Sequence, residues 1–282
     1  KWMAPRILLH SSAIFENTSS CISVSVMRLK NNTQMASLRE SGKRLETVMH
    51  TVAEAIRPGI STAELNGIAE RTIQQLESEP VFKGYGEEYG KPFPASICTS
   101  INNEVVHGIP QKERIIQDGD LVKIDMGLRY QGMVTDMART FALGAVSDEA
   151  ARLVHVTEES LLRGVKAVRI GGRISDYAKA VQSHVEEHGF SVVRDLVGHG
   201  VGFELHEPPQ IPNYFFSGMK DAIFRVGMAV AFEPMVNVGG YEVGLGKDGW
   251  VFTTEDGSLS AHFEDTIIIT DQSIEVVTRS GN

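Results

Sequence analysis

Four acidic residues in apolar surroundings are the part of this sequence most able to do chemistry. Asp125 and Glu233 each lie in a short, mostly apolar run, and each follows a glycine by six residues. Asp136 comes eleven residues after Asp125, and Glu264 precedes the apolar run at 267–269. Burial of an ionised carboxylate without a partner is costly, so strands that carry acids inward need a compensating positive charge. The pattern therefore predicts a cation held between two similar blocks of the chain.

The spacing of these acids also predicts how the backbone presents them. Eleven residues between Asp125 and Asp136 suit two facing positions of a β-hairpin that turns near residues 131–132. For the fourth acidic ligand, Asp265 is an alternative candidate to Glu264. Alternation along a strand places Asp265 on the face opposite Glu264, so Glu264 is the preferred candidate.

Two histidines around a glycine-rich turn extend the set. His199 lies between Gly198 and Gly200, and His206 follows seven residues later. A single histidine is more often a structural residue than a ligand, but paired acids elsewhere in the chain favour a ligand here. Four carboxylates and one imidazole, without cysteine, favour Mn, Fe(II) or Co over a thiolate zinc site. So many carboxylates suit two bridged ions, which can activate a water between them.

Composition excludes several other classes of function. The chain has 282 residues and a formal net charge of −9, so it offers no basic surface for a nucleic acid or an anionic membrane. No apolar stretch approaches the roughly 18 residues of a membrane helix. The two cysteines, Cys21 and Cys98, are too few for a disulfide framework, which predicts a reducing, cytoplasmic compartment.

Hydrophobic periodicity predicts an α/β (α+β) fold built from two similar halves. Helical spacing covers residues 34–56 and 148–168, and Ser61 or Thr62 and then Ser175 are expected to cap a second helix in each half. Strand patterns follow at 95–100, 121–126, 133–141, 190–194, 228–234, 250–253 and 261–270. The repeated order predicts a duplication around a curved, mostly antiparallel central sheet with helices outside.

The ends of the chain set the predicted domain limits. Residues 1–29 are Ser-rich and without clear periodicity, which predicts a disordered or non-native extension, with Met27 as a plausible start. Residues 30–282 are predicted to form one catalytic domain, with halves at about 30–145 and 146–282.

Several strings of the sequence resemble the type I methionine aminopeptidases, M24 metallopeptidases with the pita-bread fold. The resemblance covers about residues 29–277. Its strings are Ser96-Ile97-Cys98-Thr99-Ser100, Asn103-Glu104-Val105-Val106-His107-Gly108-Ile109-Pro110, Gly198-His199-Gly200, His206-Glu207, Glu233-Pro234-Met235 and Lys247-Asp248-Gly249-Trp250. The family has two pseudo-symmetric halves around a dinuclear metal centre, which agrees with the predicted duplication.

The resemblance implies a role for each ligand candidate. Asp125 would bind one metal alone, and Asp136 and Glu264 would bridge both metals. His199 and Glu233 would complete the other metal. Glu233 would also relay a proton from the bridging water.

It also implies the residues that meet the substrate. His107 would lie beside the scissile amide, and His206 would stabilise the tetrahedral intermediate. Tyr85, Phe93, Cys98 and Trp250 would line the methionine pocket, although each apolar residue alone could be ordinary core. Two departures affect this pocket: Leu205 precedes His206 where some members have Phe, and residues 86–92 form a longer segment.

The preferred hypothesis is removal of N-terminal methionine from nascent polypeptides with a small second residue. Two divalent ions are expected as cofactors, and Co, Mn, Fe and Zn remain open. The resemblance further implies a monomer and makes the ribosome a candidate partner. The alternatives are an Xaa-Pro peptidase on the same fold and a catalytically inactive pita-bread binding protein.

Overall fold

The helices of the first half begin at capping residues that the sequence supplies. The computed structural model describes residues 28–280, so the predicted extension at 1–29 lies outside it except for two positions. Helix α1 spans Asn32–Ala55 and α2 spans Thr62–Gln75, each preceded by a residue that closes a capping box. The cap of α2 is Ser61, one of the two predicted residues.

One predicted cap of the second half is wrong. Helix α3 spans Asp148–Ala167, and α4 spans Ile174–Glu187, so Ser175 lies inside α4. The Ser175 hydroxyl and amide both donate to the carboxylate of Asp221. Asp221, which is distant in the sequence, therefore binds the hydroxyl and the amide of Ser175 that would otherwise have capped the helix.

Fifteen strands of the described residues form antiparallel pairs. They are β1 (Glu79–Pro80), β2 (Cys98–Ile101), β3 (Glu104–Val106), β4 (Leu121–Tyr130), β5 (Met133–Ala142), β6 (Ser191–Val192), β7 (Gly198–Gly200), β8 (Glu207–Ile211), β9 (Ala229–Phe232), β10 (Met235–Asn237), β11 (Val243–Leu245), β12 (Phe252–Thr254), β13 (Ser260–His262), β14 (Asp265–Ile269) and β15 (Ile274–Val276). The first half centres on a sheet of order β1-β4-β2, with β5 paired to β4, and the second on β15-β14-β9-β7-β8. Two smaller sheets, β13-β10-β6 and β11-β12-β3, complete the set.

The predicted strand at 261–270 is divided in two. β13 pairs with β10, whereas β14 pairs with β9. Between these strands Glu264 forms a bridge to Ala138 of β5. The chain changes partners at this point, so one strand pattern in the sequence becomes two strands that flank an acidic residue.

Helices cover the outer faces of the two main sheets. In the first half α1 and α2 bury Leu45, Val48 and Leu65 against the hairpin of β4 and β5. In the second half α3 and α4 bury their apolar faces against β9 and β14. The described helices include none that is both long enough and apolar enough to cross a membrane. The predicted fold, duplicated sheets inside and helices outside, is confirmed.

Candidate metal centre

The hairpin of the first half presents Asp125 and Asp136 on one face. Asp125 pairs with Ala138 across the ladder, and Asp136 pairs with Gly127. The two acids are therefore diagonal neighbours rather than directly opposite, as the eleven-residue spacing had suggested. Diagonal positions on one face remain close enough for side chains to share a partner. Both carboxylates are buried, Asp125 at 7% exposure and Asp136 at 3%.

The second half brings three further donors to the same place. His199 lies in β7 opposite Ala231, Glu233 follows the end of β9, and Glu264 lies between β13 and β14. The amide of Glu264 donates to the carbonyl of Ala138 at 2.9 Å, which ties this acid to the first half.

The donor atoms converge at the junction of the halves. Ligand atoms of Asp136, His199 and Glu264 all lie within 4.8 Å of one another. The Nε2 of His199 is 4.0 Å from Asp136 Oδ2 and from Glu264 Oε1, and 3.4 Å from Glu233 Oε1. Asp125 joins the cluster as the diagonal neighbour of Asp136 on the same face of the hairpin.

Asp265 points elsewhere, as strand alternation predicts. Its carboxylate accepts hydrogen bonds from Arg139, Thr278 and Arg279. The bonds from Arg139 and Thr278 measure 2.6 and 2.8 Å, so this acid has partners of its own.

Burial and mutual repulsion raise the proton affinity of the acids. Burial is the largest cause in each case, and it raises the pKa of Asp125, Glu233 and Glu264 well above the usual range. The neighbouring carboxylates add to this effect. Burial raises the pKa of Asp136 to about 7.

The imidazole of His199 is neutral, which is the form that can bind a metal ion. Burial lowers the pKa of His199 to about 4. Its Nδ1 lies 3.0 Å from the carbonyl of Gly200, an acceptor, so the proton belongs on Nδ1. Nε2 then directs a lone pair toward the acids.

The donor set fits a divalent cation. Asp125 Oδ1, Asp136 Oδ1 and Glu264 Oε1 are buried and have no hydrogen-bond partner among the described residues. Buried polar atoms in a native protein normally have partners, and a cation supplies one to several carboxylates at once. Oxygen donors with one imidazole suit Mn, Fe or Co and also accept Zn.

His107 and His206 lie beside this cluster. The His206 ring is 4.4 Å from the His199 ring, and its Nδ1 is 2.6 Å from the Tyr85 hydroxyl. His107 takes a left-handed backbone conformation with φ of 60°, and its ring meets that of Phe252 edge to face, with centroids 6.0 Å apart. Burial lowers the pKa of His107 to about 4 and that of His206 well below its usual value.

The four predicted pocket residues pack into one apolar cluster next to the acids. Phe93, Cys98 and Trp250 belong to its buried core, and Tyr85 packs against them. The rings of Phe93 and Trp250 meet edge to face at 5.2 Å. Cys98 pairs with Asp125 across β2 and β4, and burial together with the charge of this carboxylate raises the pKa of its thiol. Cys98 thus connects the apolar cluster to the metal-ligand candidates.

The two departures from the family pattern are accommodated locally. Leu205 is 7% exposed and belongs to the same apolar cluster. The segment at 86–92 is closed at its base, because the amide of Phe93 donates to the carbonyl of Tyr85 at 2.8 Å.

Two residues near the site were missed by the sequence analysis. His262 is 1% exposed, and its Nε2 lies 3.6 Å from Glu233 Oε2. Because side chains alternate along a strand, the sequence places His262 on the same face as Glu264, and this position could have identified it as a site residue. Lys30 forms a buried ion pair of 2.7 Å with Glu207, the neighbour of His206. No local pattern relates residues so far apart in the chain.

Comparison with known proteins agrees with this geometry. The family model for metallopeptidase family M24 matches residues 36–271. A methionine aminopeptidase of Clostridium acetobutylicum is 45% identical over 250 residues, which cover 89% of this chain and 98% of that one. Methionine aminopeptidase 1 of Bacillus subtilis is 43% identical over 250 residues, with the same two coverages.

Solved structures place the fold in the same group. The methionine aminopeptidase of Thermotoga maritima superposes with a TM-score of 0.86 at 39% identity, covering 90% of this chain and all of that one. An Xaa-Pro dipeptidase of Bacillus anthracis has a TM-score of 0.69 at 23% identity, and the match covers 90% of this chain but 62% of the dipeptidase. The latter likeness concerns the fold alone. The chain therefore belongs to metallopeptidase family M24, among its methionine aminopeptidases.

Proposed function

We propose that Asp125, Asp136, His199, Glu233 and Glu264 hold two divalent metal ions, and that this centre releases N-terminal methionine. The observation that carries the proposal is the convergence of buried carboxylates whose oxygens lack partners among the described residues. One ion with an open coordination position cannot use four carboxylates, whereas two ions can share them.

The positions of the donors support a division between two metals. Asp125 pairs with Cys98 of β2, whereas His199 and Glu233 come from the second half and lie 3.4 Å apart. Asp136 is the diagonal neighbour of Asp125, and both its Oδ2 and Glu264 Oε1 lie 4.0 Å from His199 Nε2, which supports bridging roles for Asp136 and Glu264. Bound divalent ions would lower the pKa of a water and polarise the substrate carbonyl.

Glu233 is the proposed proton carrier. Its Oε1 lies 3.4 Å from Nε2 of His199, within the acidic cluster, where the carboxylate can accept a proton from the attacking water. The same group then delivers that proton to the amine that leaves.

His107 and His206 are proposed to act as neutral hydrogen-bond donors. The lowered pKa of each ring keeps it neutral at physiological pH. For His206 to donate from Nε2, its Nδ1 must accept the proton of the Tyr85 hydroxyl, which lies 2.6 Å away. That N–H can stabilise the developing oxyanion, while His107 lies beside the scissile amide.

The apolar cluster is the proposed pocket for the methionine side chain. Phe93, Cys98 and Trp250 are 3%, 4% and 8% exposed, so the pocket excludes water. Aromatic rings and a thiol are soft, polarisable neighbours for a thioether. Burial raises the pKa of Cys98 well above its usual value, which keeps the thiol uncharged.

The wider cellular setting is also a proposal. We infer that the substrates are nascent polypeptides with a small second residue, and that the protein acts as a cytoplasmic monomer that can work at the ribosome. The buried free thiol of Cys98 is in keeping with a reducing compartment. Light scattering and co-sedimentation with ribosomes test these points directly.

Peptide hydrolysis by metal-depleted protein tests the function. Mn, Co or Fe(II) is added back with Met-Ala-Ser or Ala-Pro-Ser as substrate, and Asp136→Ala serves as the control. We expect metal-dependent release of methionine alone, lost in the variant. Cleavage of Ala-Pro-Ser alone would instead indicate an Xaa-Pro peptidase. Metal binding without any turnover would favour a binding protein.

A further inference from the structure

The backbone of His262 is fixed at the junction of the two halves. Its amide donates to the Thr140 hydroxyl at 2.9 Å, and its carbonyl accepts from the same hydroxyl at 2.7 Å. On its other side it pairs with Met235 of β10, two residues beyond Glu233. Strands from both halves therefore hold the backbone of this residue.

The ring of His262 is buried without a satisfied hydrogen bond. Neither Nδ1 nor Nε2 has a partner among the described residues, although the residue is 1% exposed. A neutral imidazole must carry one N–H, and a buried donor without an acceptor is unfavourable. The acceptor within reach is Glu233 Oε2, at 3.6 Å from His262 Nε2.

Glu233 presents its two oxygens to two different imidazoles. Oε1 faces Nε2 of His199 at 3.4 Å, and Oε2 faces Nε2 of His262 at 3.6 Å. Among the described residues, the ion-pair contact of the His262 ring is with Glu233, through the oxygen that does not face His199. His262 therefore reaches the acidic cluster through this carboxylate.

We propose that His262 is a positioning residue for Glu233: its Nε2–H donates to Oε2 and so directs Oε1 toward His199 and the metal centre. A shift of about 0.5 Å in either side chain brings the pair into hydrogen-bond range. Carboxylates that bind metals are commonly held by such outer partners, whose loss weakens both metal affinity and activity. The proposal rests on the proposed role of Glu233.

Three substitutions at position 262 separate hydrogen bonding from packing. The amide nitrogen of glutamine can occupy the place of imidazole Nε2, that of asparagine lies near Nδ1, and leucine donates nothing. The measurements are kcat and KM on Met-Ala-Ser and, independently of turnover, the affinity of the metal-depleted protein for Mn²⁺ by calorimetry.

We expect His262→Leu and His262→Asn to lower kcat and Mn²⁺ affinity by about 10- to 100-fold. KM should stay within about threefold, because the methionine pocket is untouched. His262→Gln should remain within about threefold of the wild type in both measurements. His184→Leu is the matched control, because His184 is also a buried histidine with an Nε2 that lacks a partner among the described residues, but it lies on α4. It should leave kcat and Mn²⁺ affinity unchanged.

Two results would overturn the proposal. One is a His262→Leu variant with wild-type kcat and Mn²⁺ affinity. The other is a His262→Gln variant that falls as far as His262→Leu while both melt at the same temperature, since packing would then explain the loss. Failure of the wild type to release methionine would instead refute the function itself, so the two failures are distinguishable.

Discussion

At the scale of single residues, protonation of the acidic cluster is linked to stability. Asp136 has a pKa of about 7 in the folded chain against an ordinary value of 3.8. A raised pKa in the folded state means that the folded protein keeps a proton that the unfolded chain loses. The stability that depends on this proton is complete below about pH 4 and is lost as the pH rises through about 7.

This linkage predicts that metal-free Asp136→Asn gains stability relative to the metal-free wild type as the pH rises from about 4 to about 7. Asparagine imitates the protonated acid, and the buried histidines are common to both proteins, so their opposing titrations cancel in the comparison. One pKa unit corresponds to about 1.4 kcal/mol and 1 kcal/mol to about 2–4 °C in melting temperature, so a gap of several degrees is expected. Melting curves in EDTA from pH 5 to 8 measure it. A difference that does not grow with pH would contradict the assignment.

A second residue-scale prediction concerns the Tyr85 hydroxyl. Tyr85→Phe removes the 2.6 Å hydrogen bond to His206 Nδ1 and keeps the ring in the pocket. The proton of His206 is then free to move to Nδ1, so kcat should fall by about tenfold, the equivalent of roughly 1.4 kcal/mol. KM should change little because the apolar lining is retained. Steady-state kinetics on Met-Ala-Ser decide the point, and an unchanged kcat would show that Tyr85 does not orient His206.

At the scale of elements, the segment before α1 is tied to the strand that follows His206. Lys30 and Glu207 form an ion pair of 2.7 Å, with side chains only 2% and 4% exposed. The other oxygen of Glu207 accepts from the amides of Phe203 and Glu204. One carboxylate thus organises the loop that precedes His206, and Lys30 neutralises it.

Lys30→Met should therefore destabilise the protein strongly. It leaves the buried carboxylate of Glu207 with the half-exposed Arg28, 3.4 Å away, as its remaining counter-charge. We therefore expect a loss of up to about 3–5 kcal/mol, the range for breaking a buried ion pair. Lys30→Met/Glu207→Gln removes both charges and should recover part of the loss. Urea denaturation of the two single variants and the double variant gives the coupling energy. Additive effects would mean that the pair contributes nothing as a pair.

The hairpin shows which features of the elements the sequence could predict. Gln131 and Gly132 both have positive φ, 48° and 75°, and connect the paired residues Tyr130 and Met133. A two-residue turn of this kind fixes the register. A two-residue turn at these positions implies that Asp125 and Asp136 are diagonal neighbours rather than directly opposite, so this arrangement could have been deduced from the sequence. The predicted hairpin was right, and its register needed the turn geometry.

Other features depended on partners distant in sequence. The cap at Ser175 failed because Asp221 binds its hydroxyl, and the strand at 261–270 divides because Glu264 pairs with Ala138. The candidate metal ligands were accessible because acids inside apolar runs are conspicuous. Strand alternation relative to Glu264 offered a local signal for His262 that was not used. Lys30 could not be identified in this way, since its significance lies in a contact with Glu207 that no local pattern encodes.

At the scale of the whole molecule, backbone and side-chain contacts join the halves around the centre. Thr266 exchanges hydrogen bonds with the backbone of Asp136, and the buried Lys123 donates to the carbonyls of Asn102 and Ser260. The contacts of Thr266 with Asp136 and of Lys123 with Ser260 cross the proposed boundary at residue 145. The contact of Lys123 with Asn102 lies within the first half. We therefore propose that the two halves form one domain.

Unfolding should accordingly be a single cooperative transition. Calorimetric and van't Hoff enthalpies should agree in the metal-loaded protein, and Mn²⁺ should raise the melting temperature as its concentration exceeds the dissociation constant. Two resolved transitions would contradict the single-domain assignment. A fragment comprising residues 146–282 should fail to fold alone, because its acids and β14 lose their contacts with the first half.

The most direct test of the whole account is the number of metal ions that the buried acids hold. Titration of metal-depleted protein with Mn²⁺ should give two ions per chain, with methionine release appearing as they bind. Glu264→Gln, which removes a proposed bridging charge but keeps the side-chain shape, should weaken binding by at least about tenfold and abolish turnover. If the wild type binds no Mn²⁺, Co²⁺ or Fe²⁺, or if Glu264→Gln binds and cleaves like the wild type, the cluster is not the catalytic metal centre.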